Sequence, residues 1–420
     1  MVRTPTPPPP VNGNGDRSHH QALVIGAGPV GLSAALALRT LGLSPTVLEA
    51  DAQDAVRGGS RALFLHRESL KLLERMSPGL ASEIAAYGLI WDTKRTIYGG
   101  RQVFSRTYPP PTPEAIPPFI SLRQPDTEHH LRQACIKAGV EFIWSAPIKA
   151  ACSTAEHAAV ETEDGRRWDA EYIIAADGAR STVRRSLGIK MRGSRSQSVH
   201  VVVDLEEDTA DPMPVERVFH YRHPALAGRN VLLIPFAGGW QIDLQCKPTD
   251  EPEELTTTDA LSQWLPKVVD GKYRDRVAWV STYRFQQVVA ETFTDPHRRL
   301  LLAGEAAHLF APFGARGMNS GIADADVAAS AIVTARAATH TGRAHGAIED
   351  FDRVRREAAR YNEQAASSAL AHLRPSSTIA RVRQRVAAKL APAVKPFGVW
   401  LDEAPYGPRM PPSSNPSGKY

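Results

Sequence analysis

The chain has 420 residues, of which 42% are apolar and 23% charged, and it carries a net charge of +5 and three cysteines. At roughly 150 residues per domain, that length predicts two or three domains and a core that needs no disulfide or structural metal. Cys135, Cys152 and Cys246 form no C-x-x-C pair, which excludes a disulfide oxidoreductase and fits reduced thiols in a cytoplasmic protein. The cationic surplus is modest and interspersed with acids, so no nucleic-acid partner is expected. No apolar run reaches the ~18 residues of a membrane span, so no stable membrane insertion is expected.

Residues 1–20 are rich in Pro, Asn and Gly and lack an apolar segment, so they read as a disordered tail and not a secretory signal. Ala22 to Ile25 is a short apolar strand that runs into Gly26-Ala-Gly28-Pro29-Val30-Gly31. Leu32 to Leu41 then reads as a helix ended by Gly42, and a second strand, Thr46 to Leu48, stops at Glu49. This is a βαβ dinucleotide unit. Gly26 permits the tight turn, Gly28 lets backbone approach a pyrophosphate, and Gly31 lets helix pack on strand. The helix start offers free N–H groups to phosphates. Glu49 suits ribose hydroxyls and repels a 2′-phosphate, so the nucleotide is FAD or NAD, not NADP. No second G-x-G-x-x-G follows.

Further on come Gly59-Ser60-Arg61, then Gln124 in Leu122-Arg-Gln-Pro, then Tyr172 to Arg184 with Asp177-Gly178 and Arg180. Residues 191–284 are strand-like: 200–205, 217–221, 230–234 and 240–245 all carry β-branched or aromatic side chains. In 240–245, Gln241, Asp243 and Gln245 share one face, which suits either a substrate pocket or solvent. Leu301 to Gly321 holds Gly304, Glu305, His308, Pro312, Gly314, Gly317, Met318 and Asn319. A carboxylate after an apolar strand meets hydroxyls well, and a helix starting near Asn319 aims its N–H groups at a flat ligand. His308 alone reads as a satisfied buried histidine. Ile379, Val382, Val386 and Leu390 recur at helical spacing among Arg381, Arg383, Arg385 and Lys389, which predicts a surface helix docked by its apolar side.

Together, the N-terminal glycines, the Asp177-Gly178 segment and the Gly304–Gly321 segment resemble the three fingerprints of the class A (single-component) flavoprotein monooxygenases, the aromatic hydroxylase family. The resemblance covers about 21–400, and Gly59-Ser-Arg61 with Pro312 to Gly317 looks closest to members acting on phenols. It implies roles by position. Arg61 approaches the FAD pyrophosphate and helps admit NAD(P)H, and Gln124 lies near the ribityl and phosphate groups. Asp177 serves both FAD and NAD(P)H. Glu305, where most members carry Asp, is expected to hold the ribityl chain. Pro312 and Gly314 to Asn319 face the flavin ring.

The expected fold is α/β: a Rossmann-like FAD domain (21–190 and 285–370) with an inserted, mostly antiparallel substrate sheet (191–284, plus about 91–119). A C-terminal helical segment (371–409) and a second disordered tail (410–420) complete it. The expected function is NAD(P)H- and FAD-dependent hydroxylation of a small aromatic, phenol-like compound by molecular oxygen, through a flavin hydroperoxide. The flavin carries that chemistry, while the protein supplies position and a dry pocket. Tyr283, His220, Tyr221 and Asp243 are candidate bases or acceptors for a phenol, with Pro312 beside the flavin. FAD is expected to be non-covalent and no metal is required; a homodimer is allowed. Epoxidation, Baeyer–Villiger-type oxidation and a non-catalytic FAD-binding role stay open as alternatives.

Overall fold

The first strand, His19–Ile25, is apolar because both of its faces are covered: Ala22, Leu23 and Val24 have no solvent exposure. The computed structural model describes residues 19–408 except 57, 111, 113 and 114, with only the backbone described at 19 and 195–197. His19 pairs with Asp169 and His20 with Ala170, so the strand begins inside the stretch expected as a tail. The rest of that stretch, and the expected tail 410–420, lie outside the described residues. The strand is central in a seven-stranded sheet. Pro45–Leu48 pairs with it in parallel on one side and Arg167–Ala175 on the other. Glu141–Ile143 and Leu300–Leu302 add further parallel pairs, and Ala158–Thr162 and Ile148–Ser153 close one edge as antiparallel strands. The helix Pro29–Thr40 packs over this sheet with nine of its residues buried.

The second sheet has eight strands. In spatial order these are His308–Leu309, Val277–Ala290, Met191–Glu206, Gly239–Gln245, Arg229–Phe236, Glu216–His223, Thr93–Tyr98 and Arg101–Thr107. Every pairing is antiparallel except that between Glu216–His223 and Thr93–Tyr98. The fold is thus the expected α/β dinucleotide unit with an inserted, mostly antiparallel sheet.

Alternation decides what each face of this sheet does. Val201, Val203, Trp240, Ile242 and Leu244 pack with Trp264, Leu265 and Tyr273 from the segment 254–275. The opposite face carries Gln241, Asp243 and Gln245, and all three are buried. Solvent is therefore not what the polar face meets. Gln241 Nε2 donates to Ser60 Oγ at 2.5 Å, which turns this face toward the dinucleotide unit.

Three helices, Thr341–Leu373, Thr378–Leu390 and Lys395–Glu403, close the chain. They cover the far strands: Ala366, Leu370, Ala387 and Leu401 cluster with Val103, Phe219 and Tyr221. The helix Thr378–Leu390 departs from expectation. It docks through Gln384, Ala387 and Ala388, while Ile379, Val382, Val386 and Leu390 face solvent. Small side chains let its backbone approach the protein closely, and its larger aliphatic side chains lie on the other side.

Candidate functional site

Three segments far apart in sequence meet at the carboxyl ends of the parallel strands, where open α/β sheets bind ligands. Gly26 has φ +102°, and a Cβ there would lie 2.5 Å from Ala176 O and 3.3 Å from Asp177 Cα. Gly31 has no room for a side chain either, since a Cβ would lie 1.8 Å from Gly26 O. The third segment comes in through Val30. A Cβ on Gly304 would be 2.9 Å from a Val30 methyl carbon, and one on Gly321 2.4 Å from the same atom. Gly28 forms the N-cap of the helix Pro29–Thr40 and supplies no side-chain cap to the first-turn amides.

Glu49 ends the second strand, buried, with its carboxylate accepting the Ala27 and Asp51 N–H groups. It lines a cleft of about 200 Å³ with Ala27, Asp51, Arg132 and Trp144. Asp177 Oδ2 accepts the Val183 N–H at 3.1 Å, while its buried Oδ1 has no partner among the described residues. Burial pushes this carboxyl up. Gly178 (φ +76°) opens onto free space, and Arg180 is exposed. Arg184 ties the second segment to the third by donating to Ala306 O and Ala179 O.

Glu305 is accessible to solvent yet walled by protein on most sides, as a group on the floor of a cleft is. That crowding raises its carboxyl above the usual range, while His308, Arg61 and the Ala179 N–H oppose the rise. The turn that presents Glu305 is held from beneath. Asp324 Oδ2 accepts the Gly304 N–H at 3.0 Å and bonds His308 Nε2 at 2.6 Å, and Asp324 Oδ1 accepts from Arg355. His308 is thus a buried histidine bonded to Asp324 through Nε2, but not the fully satisfied one expected, because its buried Nδ1 has no partner among the described residues. Asp324 and Arg355 are positioning residues that no motif in the sequence marks.

Arg61 sits in the left-handed region (φ 51°), donates to Gly58 O, and faces both Glu305 and Tyr283 electrostatically. Its neighbours are clamped. A Cβ on Gly59 would be 2.6 Å from the Trp279 ring, and Gln124 N–H donates to Ser60 O. The Gln124 side chain is spent on Glu128, 2.8 Å away.

The helix expected near Asn319 starts three residues earlier and spans Arg316–Arg336. Ala315, at φ 51°, is its N-cap and supplies no side-chain cap. The Asn319 side chain is fully engaged: it accepts from His66 N–H and Ser69 Oγ and donates to Phe64 O and Ala315 O. Asn319 therefore staples the helix start to the strand Phe64–His66. Gly314 (φ +79°) is shaped by the C-terminal segment, because a Cβ would be 2.8 Å from Tyr406 O. Gly317 opens onto free space, Met318 packs on the core, and Pro312 is exposed.

The candidates on the second sheet separate. Tyr283 lies directly opposite His200 and Asp243 diagonally from it, so all three share the inward face. Burial raises the Tyr283 hydroxyl. Asp243 Oδ1 is 2.5 Å from His200 Nδ1, so Nδ1 carries the proton between them, and Nε2 lies 3.1 Å from Ser198 Oγ. The His200 ring lies 4.8 Å from Phe285 and 5.5 Å from Phe313. His220 pairs with Val231, on the opposite, apolar-packed face, and is removed from the site by that register. Tyr221 is buried under the C-terminal helices, with its hydroxyl against His372 Nε2 and Leu401 O. Register thus turns His220 away from the inward face, and the Tyr221 hydroxyl is already taken up by its two partners. His200 is missing from the sequence candidates, although 200–205 and 241–245 alternate in phase.

The sequence matches the family described as "FAD binding domain" over residues 19–366. A 6-methylpretetramide 4-monooxygenase from Streptomyces rimosus is 30% identical over 321 residues, covering 73% of this chain and 54% of the relative. A 3-(3-hydroxy-phenyl)propionate/3-hydroxycinnamic acid hydroxylase from Mycobacterium avium is 28% identical over 359 residues, covering 80% and 58%. The chain thus spans little more than half the length of these curated relatives. Among solved structures, p-nitrophenol 4-monooxygenase from Pseudomonas putida superposes with a TM-score of 0.74 at 21% identity, covering 94% of this chain and all of that one. Aklavinone-11 hydroxylase in its complex with FAD and aklavinone gives 0.71 at 22% identity, covering 88% and 71%. At those identities the superpositions establish the fold.

Proposed function

This chain belongs to the FAD-binding-domain family, that of the class A flavoprotein monooxygenases, and from that premise we propose that it uses NAD(P)H and molecular oxygen to hydroxylate a small, phenol-like aromatic compound. The observation that carries the reading is the meeting of a glycine-lined dinucleotide cradle with a buried polar and aromatic sheet face. The cradle fits FAD on its own terms: Asp177 Oδ1 is orphaned, Glu305 stands accessible on a cleft floor, and uncapped helix N-termini begin at Pro29 and Arg316. Bound FAD would supply hydride acceptance and oxygen activation.

The protein's own groups would do the rest. Amides of the Gly26–Gly31 turn would meet the pyrophosphate and Glu49 the adenosine ribose, while Glu305 would meet the ribityl hydroxyls. One methylene beyond the usual Asp extends reach by about 1.5 Å, which a small backbone shift absorbs. Phe285 and Phe313 offer apolar walls to an aromatic ring. Tyr283 and the His200–Asp243 pair offer hydroxyl and imidazole partners for a phenolic oxygen, and Asp243 fixes which imidazole nitrogen carries the proton. Reconstitution with FAD and a screen of phenols and aromatic acids tests this: the right compound accelerates NAD(P)H oxidation and emerges hydroxylated. A requirement for a separate reductase protein contradicts it.

A further inference from the structure

The helix Thr378–Leu390 presents to solvent the side that its sequence suggests it should bury. Ile379 is 81% exposed, Val382 49%, Val386 45% and Leu390 40%. At about 100° per residue these four fall in an arc of about 80° running some 16 Å along the helix. Val394, 40% exposed, continues the line beyond the helix end. Such a contiguous aliphatic ridge is unusual on a protein whose partners are all aqueous.

Cations border the ridge. On the same wheel Arg383 lies at one edge, and Lys389 and Arg385 lie at the other, all three exposed. Between Glu363 and Asp402 the chain has no acidic residue and six cations: Arg374, Arg381, Arg383, Arg385, Lys389 and Lys395. Arg381 donates to Pro375 O and Ser376 O, so it braces the entry to the helix. The helix is firmly seated on its other side through Gln384, whose side chain donates to His372 O, and through Ala387 and Ala388.

We propose that this ridge is a peripheral docking surface for an anionic lipid bilayer, with the aliphatic side chains entering the headgroup boundary and the flanking Arg and Lys meeting lipid phosphates. An apolar stripe with basic margins on a helix lying flat is the pattern that binds such interfaces. The stems of Arg and Lys stay apolar while their heads reach phosphate. A second copy of the chain fits worse, because its matching face brings cations against cations. The chain's own residues 409–420 contain no acid either. No helix of the described residues is long and apolar enough to cross a membrane, so the contact is superficial and reversible. The buried side of the same helix belongs to the cluster that holds Phe285 and Phe313, so docking sets the proposed substrate face one layer from the lipid. The surface stands independently of the activity proposed above.

Vesicle sedimentation of the full chain tests it. Vesicles of mixed phosphatidylglycerol and phosphatidylcholine should carry the protein down, and pure phosphatidylcholine should do so much less. Val386→Glu should abolish sedimentation while leaving the melting temperature unchanged. Arg385→Glu with Lys389→Glu should cut partitioning by about tenfold or more, given the roughly fivefold that each basic side chain contributes near such a surface. Failure to sediment, or sedimentation that survives both variants, overturns the proposal. So does a concentration-dependent dimer lost in Val386→Glu, which assigns the ridge to self-association. Polyglutamate binding as tight as vesicle binding, and lost in the same variants, assigns it to an acidic protein and overturns it as well.

Discussion

Asp204 accepts both the amide and the hydroxyl of Ser60, at 2.5 and 2.7 Å, across the junction of the two sheets. Ser60 stands between Gly59 and Arg61, so this contact fixes where the Arg61 segment lies against the substrate sheet. Burial raises the Asp204 carboxyl, and the Ser60 bonds counter that rise. Asp204→Ala leaves two buried donors without an acceptor and should cost on the order of 3 kcal/mol. Asp204→Asn keeps one acceptor and should cost about half as much. Urea unfolding midpoints at constant slope check the order.

Gly304 carries both a left-handed backbone (φ +61°) and a steric limit set by Val30. Gly304→Ala therefore incurs about 1–2 kcal/mol of backbone strain plus an overlap. Adding Val30→Ala should relieve only the overlap. A double-mutant cycle on thermal stability and FAD retention should show a favourable coupling with a residual loss. Full recovery in the double variant would contradict the strain.

His200 and Asp243 act together if the proposed substrate face is correct. Asp243→Asn replaces an anionic partner and frees the imidazole to change tautomer. Turnover efficiency on the best phenol should fall about tenfold or more, a transition-state loss near 1.4 kcal/mol. FAD content should hold, since the hydrogen bonds of the pair stay within the second sheet. Steady-state kinetics beside the flavin absorbance of the purified variant separates the two.

His220 makes the fold sensitive to acid. Burial, with His223 beside it, lowers its imidazole to about 4 from an ordinary 6.5. The unfolded chain binds this proton below pH 6.5 and the folded chain only below about 4. Stability is therefore highest above 6.5, declines as pH falls through that window, and levels off below 4. At 1.36 kcal/mol per unit the span reaches about 3 kcal/mol. His372, lowered to about 4 by burial, adds a second slope of the same sign. His220→Leu should shallow the fall in melting temperature between pH 6.5 and 4, and an unchanged slope would count against the account.

What was legible in the sequence follows from its physics. Gly26, Gly31 and Gly304 are readable because close approach demands glycine at fixed spacing, and the order of their segments marks the fold. The partnership of His200 with Asp243 is not readable, because 43 positions separate them and only the register of two strands joins them. Alternation shows that Gln241, Asp243 and Gln245 share a face but not which way that face turns. The same limit applies to the helix Thr378–Leu390: spacing groups its aliphatic residues, yet small residues at Ala387 and Ala388 settle the docking side. His220 and Tyr221 are adjacent in a strand, so at most one of them could face the cleft. Packing by Leu401 and His372 takes Tyr221 away as well.

The measurement that bears most directly on the central claim follows the oxygen atom. The FAD-loaded protein is supplied with NAD(P)H, isotopically labelled dioxygen and the phenol that most stimulates oxidation, and the product is weighed by mass spectrometry. One labelled atom is expected in a hydroxylated product, in step with NAD(P)H consumed. Label absent from every product, with NAD(P)H oxidation indifferent to any aromatic compound, would contradict that claim.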